Sequence, residues 1–280
     1  MRLGDWNVDG VSAGTFRLDG GSMFGTVPRI VWERLCPPDD QHRILMDTNC
    51  LLLRGRGRTI LVDTGNGDKE ADAFRERFAM GPRGTLAEGL GRLGVKPGDV
   101  DTVILTHLHF DHAGGATELD PAGNAVPAFP NARYVLQARD LENARSGFLR
   151  ERASYLPWNW EPLLAAGLLD LVEGRVELMP GLALRPVPGH TPGLQAVEVE
   201  GGGRRLIYLA DLIPTRHHIQ PAWCMGYDID VATCVAERQK VLAEAEGNGT
   251  ILVFEHDPEV PAGTVALDGK GRYRVEPVAL

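Results

Sequence analysis

His107-Leu108-His109-Phe110-Asp111-His112 is the stretch on which the reading of this chain turns. Three imidazoles and a carboxylate fall within six residues, directly after the apolar run Val103–Thr106. On an extended backbone alternate side chains share a side, so His107 and His109 point the same way. The turn that follows offers Asp111 and His112 to a neighbouring position, and Gly114-Gly115 lets the backbone bend tightly behind them. Imidazole and carboxylate suit zinc and similar divalent ions, whose catalytic sites keep a position open for water. A lone buried histidine needs only a hydrogen bond. Four adjacent polar groups inside a fold need a common partner.

Apolar and β-branched runs recur on both sides of this stretch: 49–54, 59–63, 102–106, 133–136, 183–186, 196–199, 205–210, 251–254, 264–267 and 272–275. Most are bounded by Gly, Pro or Asp and read as strands. Helices are expected at 85–93, 136–146, 162–169 and 231–246, the last closing at Gly247. Two sheets with helices outside would bury such runs on both faces, which predicts an α/β (α+β) fold, an αββα sandwich of two mixed β-sheets flanked by helices. No internal repeat or low-complexity linker divides the chain, so residues 1–280 are expected to form one domain.

With 29 Lys+Arg against 38 Asp+Glu the net charge is −9, and 43% of residues are hydrophobic. This is the composition of an ordinary globular protein, not of a disordered or collagen-like chain. Nucleic acid is excluded as a partner because no basic run is available to neutralise phosphates. Cys36, Cys50, Cys224 and Cys234 form no CxxC pair and read as free thiols of a reducing compartment. The first ten residues contain no apolar signal segment, and no stretch approaches the roughly 18 apolar residues of a membrane helix. A cytoplasmic protein with no membrane partner is expected, with a homodimer as the commonest default assembly.

The histidine cluster matches the HxHxDH signature of the metallo-β-lactamase superfamily, and the resemblance extends along the chain. Leu61-Val62-Asp63-Thr64-Gly65 resembles the family's first motif, and Pro188-Gly189-His190-Thr191-Pro192-Gly193 its third. Leu209-Ala210-Asp211 is similar to the fourth, and Phe254-Glu255-His256-Asp257 to the fifth. The resemblance implies two divalent ions, zinc before manganese, iron or cobalt. His107, His109 and His190 would hold one ion; Asp111, His112 and His256 would hold the other. Asp211 would bridge them, with a water or hydroxide between the ions as nucleophile. Asp111 is further implied as a ligand able to pass a proton to the leaving group. Asp63 would orient the ligand loop through hydrogen bonds, or simply cap the turn at Thr64-Gly65. His42, His217 and His218 match no ligand motif and read as surface or pocket-rim residues.

Substrate choice must come from residues around this centre. Gly20-Gly21-Ser22-Met23-Phe24-Gly25 carries two apolar side chains and either crosses the cleft or forms a plain hairpin loop. As a phosphate loop it lacks GK[ST]. Tyr155-Leu156-Pro157-Trp158-Asn159-Trp160 is read as an apolar lid, and Trp223-Cys224-Met225 as a second wall. Met23, Phe24, Trp158, Trp160 and Trp223 are therefore the candidate pocket residues, for a small molecule with an apolar portion.

The resemblance is strongest to the branch of lactonases and organophosphate hydrolases, which implies a metal-dependent hydrolase of an ester or lactone, with phosphotriesters as a promiscuous substrate. One departure stands out: several lactonases carry a tyrosine shortly after the bridging Asp, whereas Leu212-Ile213-Pro214 follows Asp211. The alternatives are a glyoxalase-II-like thioesterase, a β-lactamase-like amide hydrolase, and, outside hydrolysis, a persulfide dioxygenase with one iron. His112 and His256 are both present, which favours hydrolysis over the last. A non-catalytic protein of this fold would be expected to have lost ligands, and none is lost.

Overall fold

The third strand, β3 (Arg43–Gly55), shows how the sequence builds two cores at once. Cys50, Leu51, Leu52 and Leu53 are all fully buried, yet they alternate. Leu51 and Leu53 join one apolar cluster, Cys50 and Leu52 another. A strand apolar on both faces needs a layer on each side. In this computed structural model, which describes residues 1–280, one layer is a second sheet and the other a set of helices.

The first sheet contains β1 (Arg2–Leu3), β2 (Trp6–Asp19), β3, β4 (Arg58–Val62) and β5 (Thr102–Ile104) side by side. After a small hairpin of β6 (Thr117–Leu119) and β7 (Ala125–Pro127), the sheet is completed by β8 (Arg133–Gln137) and β9 (Leu169–Val172). The second sheet runs in chain order through β10 (Val176–Met179), β11 (Leu182–Pro186), β12 (Gln195–Gly201), β13 (Arg204–Tyr208), β14 (Ile251–Val253), β15 (Ala262–Leu267) and β16 (Tyr273–Pro277). Val62 and Ile104 of the first sheet share a 33-residue cluster with Leu184, Val197 and Leu252 of the second.

Short helices α1 (Gly20–Phe24), α2 (Arg29–Trp32) and α3 (Asp72–Arg77) follow β2 and β4, and α5 (Phe110–Ala113) carries part of the histidine cluster. The other face of the first sheet is covered by α4 (Thr85–Arg92), α6 (Ala138–Ser146) and α7 (Glu161–Ala165), through Leu90, Leu141 and Leu163. The long helix α8 (Val231–Ala245) packs Val241, Leu242 and Ala245 into the cluster of the second sheet. Two mixed sheets flanked by helices are thus the architecture.

Strand direction places the site. β4 and β5 are parallel neighbours in the first sheet, and β13 and β14 are the parallel pair of the second. Their C-terminal ends lead directly into Asp63, His107, Asp211 and His256. Parallel strands deliver their exits to one edge, so four separate motifs meet there.

Two expectations at the element level are corrected. The longest strand, β2, lies outside the expected runs because Asp9, Gly10, Ser12 and Gly14 disfavour strand and a register shift between Ser12 and Thr15 breaks the alternation. The helix expected at 162–169 stops at Ala165. Gly167 then adopts a left-handed conformation (φ 65°), and Leu169 already belongs to β9.

Candidate metal centre

Seven side chains from four loops and α5 converge behind this edge, all of them buried. Donor atoms of His107, His109, His190 and Asp211 lie within 4.8 Å of one another, and those of Asp111, His112 and His256 form a second such group. Asp211 faces both. Its Oδ2 is 3.0 Å from Nε2 of His190, and its Oδ1 is 3.0 Å from Nε2 of His256. Nε2 of His190 is also 3.1 Å from Nδ1 of His109, and Nε2 of His256 is 3.2 Å from Nε2 of His112. Asp111 presents Oδ2 to His256 at 3.7 Å and Oδ1 to His112 at 3.9 Å.

The backbone turns sharply where two of the loops begin: Asp63 and Ala210, neither a glycine, have φ of 55° and 45°. Such conformations persist only where the surroundings fix them. At Asp63 the fixing is visible. The Thr106 amide and hydroxyl donate to its two oxygens, each at 2.7 Å.

Behind the donors stand acceptors that fix four of the five imidazoles. Nδ1 of His107 is 3.1 Å from the Thr106 hydroxyl, and Nδ1 of His256 is 2.8 Å from the Asp47 carbonyl. Nδ1 of His112 sits between Asp63 Oδ2 (3.2 Å, with hydrogen-bond geometry) and Glu255 Oε2 (2.9 Å). Nδ1 of His190 is 3.0 Å from Oδ1 of Asp228. His109 turns Nδ1 inward, leaving Nε2 3.5 Å from the buried Glu151. Partners of this kind select the tautomer and aim the free nitrogen.

Asp140 locks two of the loops together. It accepts the Leu108 amide (2.8 Å) on one oxygen, and the Thr191 hydroxyl (2.7 Å) and Tyr155 hydroxyl (3.1 Å) on the other.

The electrostatics suit cations. Burial and the neighbouring His112, His109 and His190 push His107 well below the usual imidazole range. Burial is the largest single influence on His190 and His256 and lowers both, but the carboxylates around them, Asp211 first, together outweigh it. His190 is held at about 10, with Asp228 contributing, and His256 at about 9. Asp211 is itself kept well below the carboxylate range by His190, His256 and His112, against its burial. His107 Nε2 is buried without a hydrogen-bond partner, and the buried Asp211 Oδ1 lies 3.0 Å from His256 Nε2 without hydrogen-bond geometry. Unpaired buried donors of nitrogen and oxygen type, divided into two sets around a shared carboxylate, fit a pair of borderline divalent ions.

The model of the metallo-β-lactamase superfamily matches residues 43–256, from the start of β3 to the last histidine of the centre. The chain belongs to that superfamily. It is 31% identical over 226 residues to an N-acyl homoserine lactonase of Bacillus cereus, covering 76% of this chain and 82% of the relative. A probable metal-dependent hydrolase from Staphylococcus aureus superposes with a TM-score of 0.89 over the whole of both chains, at 26% identity. The dizinc quorum-quenching lactonase AidC, solved with a product, superposes with a TM-score of 0.80 over all of this chain and 97% of its own, at 22% identity.

In this member of the metallo-β-lactamase superfamily the centre forms the floor of an open cleft of about 320 Å³. Its apolar walls are Leu18, Met23, Phe78, Phe110 and Met225, and Arg150, Ser154 and Tyr227 also line it. Of the five expected pocket residues, Met23 is part of this wall.

The other four lie elsewhere, for packing reasons. Gly20–Phe24 is a helical turn rather than a loop, and Phe24 is fully buried, stacked on Trp32 and His218. Trp223 packs edge-on against Phe24. Trp160 belongs to the helix-covered core, and Trp158 is 44% exposed with its Nε1 donating to Glu70 at 2.7 Å. The segment reaches the centre instead through Tyr155, whose ring centroid is 4.6 Å from that of His109. His218 is likewise no surface residue. It is buried between the Thr215 hydroxyl (2.8 Å) and the Met23 carbonyl (2.9 Å).

Asp140, Glu151, Asp228 and Glu255 are the residues that sequence reading missed. Only Glu255 lies inside a recognised motif; the others are isolated acids whose role depends on tertiary contacts.

Proposed function

We propose that this chain is a metal-dependent hydrolase of lactones and related esters, and that the seven converging residues are its metal ligands. The two-sided contact of Asp211, with one oxygen toward His190 and the other toward His256, carries the reading. His107, His109 and His190 would hold one divalent ion, Asp111, His112 and His256 the other, and Asp211 both. Zinc is the assigned metal, with manganese, iron and cobalt as ions the same donors accept. Bound there, the ions supply Lewis acidity and water that ionises near neutral pH.

The chain's own residues do the rest. Met23, Phe78, Phe110 and Met225 take the apolar part of the substrate and exclude water from it. Asp111 lies on the floor of the same cleft, where its carboxylate can receive a proton and return it to the departing oxygen. Asp63, Asp228 and Glu255 hold His112 and His190 in the orientation the donors need. The similarity to N-acyl homoserine lactonases supports a lactone, and the shared core of the two sheets supports reading residues 1–280 as one domain. Four unpaired cysteines support a cytoplasmic setting; no helix is long and apolar enough to cross a membrane. A homodimer is the expected assembly.

The test is hydrolysis of a γ-lactone, an aryl ester and a phosphotriester by metal-loaded protein of measured metal content. Lactone turnover should vanish with a chelator and fall at least about 100-fold in Asp211→Ala. Two bound ions without lactone or ester turnover would overturn the reading, as would full activity with a single bound ion.

A further inference from the structure

One buried acid of the cleft wall faces a candidate ligand without being bonded to it. Glu151 lies in the loop between α6 and the Pro157–Asn159 turn, is 4% exposed, and lines the cleft beside Ser154. Its Oε2 accepts the Asn143 side-chain amide at 2.9 Å, whereas Oε1 is buried without a hydrogen-bond partner. Opposite Oε1, at 3.5 Å, stands Nε2 of His109, likewise buried and unpartnered. His109 turns Nδ1 towards His190, and an imidazole that offers Nδ1 to a ligand carries its hydrogen on Nε2. A buried donor needs an acceptor, and the orphaned carboxylate oxygen is the one it faces. Position sets this acid apart. None of Thr106, Asp63, Glu255, Asp228 and Asp47, which support the other four imidazoles, lines the cleft, and Glu151 does. Its loop folds around it, since the Glu151 carbonyl accepts the Ser154 and Tyr155 amides at 2.8 and 3.2 Å. The same loop is tied to the histidine turn by the Phe110 amide, which donates to the Ser154 carbonyl at 2.9 Å.

We propose that Glu151 is a positioning residue that accepts the Nε2 hydrogen of His109 and thereby couples the cleft wall at residues 151–155 to occupancy of the metal centre. The inference rests on the reading of His109 as a metal ligand and adds to that site a link between its floor and its wall. Such coupling is mutual: the factor by which bound metal favours the closed wall is the factor by which an open wall weakens the metal.

The experiment takes wild type, Glu151→Ala and Glu151→Gln and reads two quantities in each. Zinc affinity comes from competition with a chromophoric chelator. Opening of the wall comes from hydrogen exchange at the amides of Glu151, Arg152, Ser154 and Tyr155, all bonded within the loop, with the centre saturated by zinc and with it stripped. In wild type, zinc should slow these amides about 5-fold or more. In Glu151→Ala at saturating zinc the slowing should shrink to under about twofold, and zinc affinity should fall about 5- to 100-fold. Glu151→Gln should fall between, because its amide oxygen still accepts but carries no charge. A glutamate that only packs the loop would lower the stability of the stripped protein and leave zinc affinity and zinc-dependent exchange at wild-type values, which overturns the inference. A fall in affinity with no zinc-dependent exchange in wild type overturns the coupling. Should Glu151→Ala fail to fold, Glu151→Gln decides: wild-type values of both quantities overturn the inference. Wild type that binds two ions, with both variants indistinguishable from it, sinks this inference alone; wild type that binds no zinc sinks the ligand reading and this inference with it.

Discussion

Asp228 holds His190 from behind, with Oδ1 3.0 Å from the imidazole Nδ1, while its Oδ2 accepts the Met225 amide at 2.9 Å. One buried carboxylate thus fixes a candidate ligand and a cleft wall together. Arg238 of α8, fully buried, approaches the same Oδ2 at 3.5 Å and donates from Nε to the Leu212 carbonyl at 2.6 Å, next to Asp211. The helix behind the second sheet is therefore connected to both sides of the centre.

Replacing Asp228 should loosen the metal before it loosens the fold. Asp228→Asn keeps the shape and one acceptor, so the protein should remain folded while metal affinity falls about 10- to 100-fold. Asp228→Ala also strands Arg238 as a buried charge and should cost a further 3 kcal/mol or so in stability. Competition with a chromophoric chelator gives the affinity, and urea denaturation the stability. Metal affinity within twofold of wild type in Asp228→Asn would show that His190 needs no second partner.

The two tryptophans of the 155–160 segment separate lid from core. Trp160 is buried among the helices of the first sheet, so Trp160→Ala should destabilise by about 3–5 kcal/mol. Trp158 is half exposed and contributes one hydrogen bond to Glu70, so Trp158→Ala should cost about 1 kcal/mol. Neither lines the cleft, and Trp158→Ala should leave kcat/KM on a lactone within twofold. A raised KM in Trp158→Ala with an unchanged melting temperature would restore the lid.

What could be read in the sequence was local. The HLHFDH stretch, the turn at Asp63 and the motifs at His190, Asp211 and His256 each compress their chemistry into a few adjacent residues, and strand runs such as 49–54 declare themselves by apolar content. The supporting acids do not. Asp140, Glu151 and Asp228 sit in stretches whose only signal is a carboxylate, and each gains meaning from a partner 30 or more residues away: Leu108 and Thr191 for Asp140, His109 for Glu151, His190 for Asp228. The tryptophans misled for the converse reason. An aromatic run has the same composition whether it faces a cleft or a core, and only the packing of α7 and the Pro157–Asn159 turn around Trp160 decides it.

A second cavity, of about 350 Å³, lies behind the histidine turn between α4 and Gly115–Leu119, and none of the seven converging side chains lines it. Lys69 does, with its Nζ donating to the carbonyls of Gly114 and Thr117. Burial, partly offset by Glu70 and Asp68, lowers this amine from 10.5 to about 8. The folded protein therefore releases the proton more readily than the unfolded chain, and the sign follows. Below about pH 8 both states are protonated and the folded state bears the full penalty of the buried charge. Between about pH 8 and 10.5 only the unfolded chain holds the proton, so stability rises with pH; above that range the penalty is gone. The stability of wild type relative to Lys69→Met should thus be flat up to pH 8 and climb towards pH 10.5. The rise should be at most about 1–2 kcal/mol, because the half-buried amine is partly screened by solvent. Urea denaturation of both proteins across this range measures the difference directly. Parallel curves would mean that Lys69 keeps an ordinary amine and that its two carbonyl contacts balance its burial.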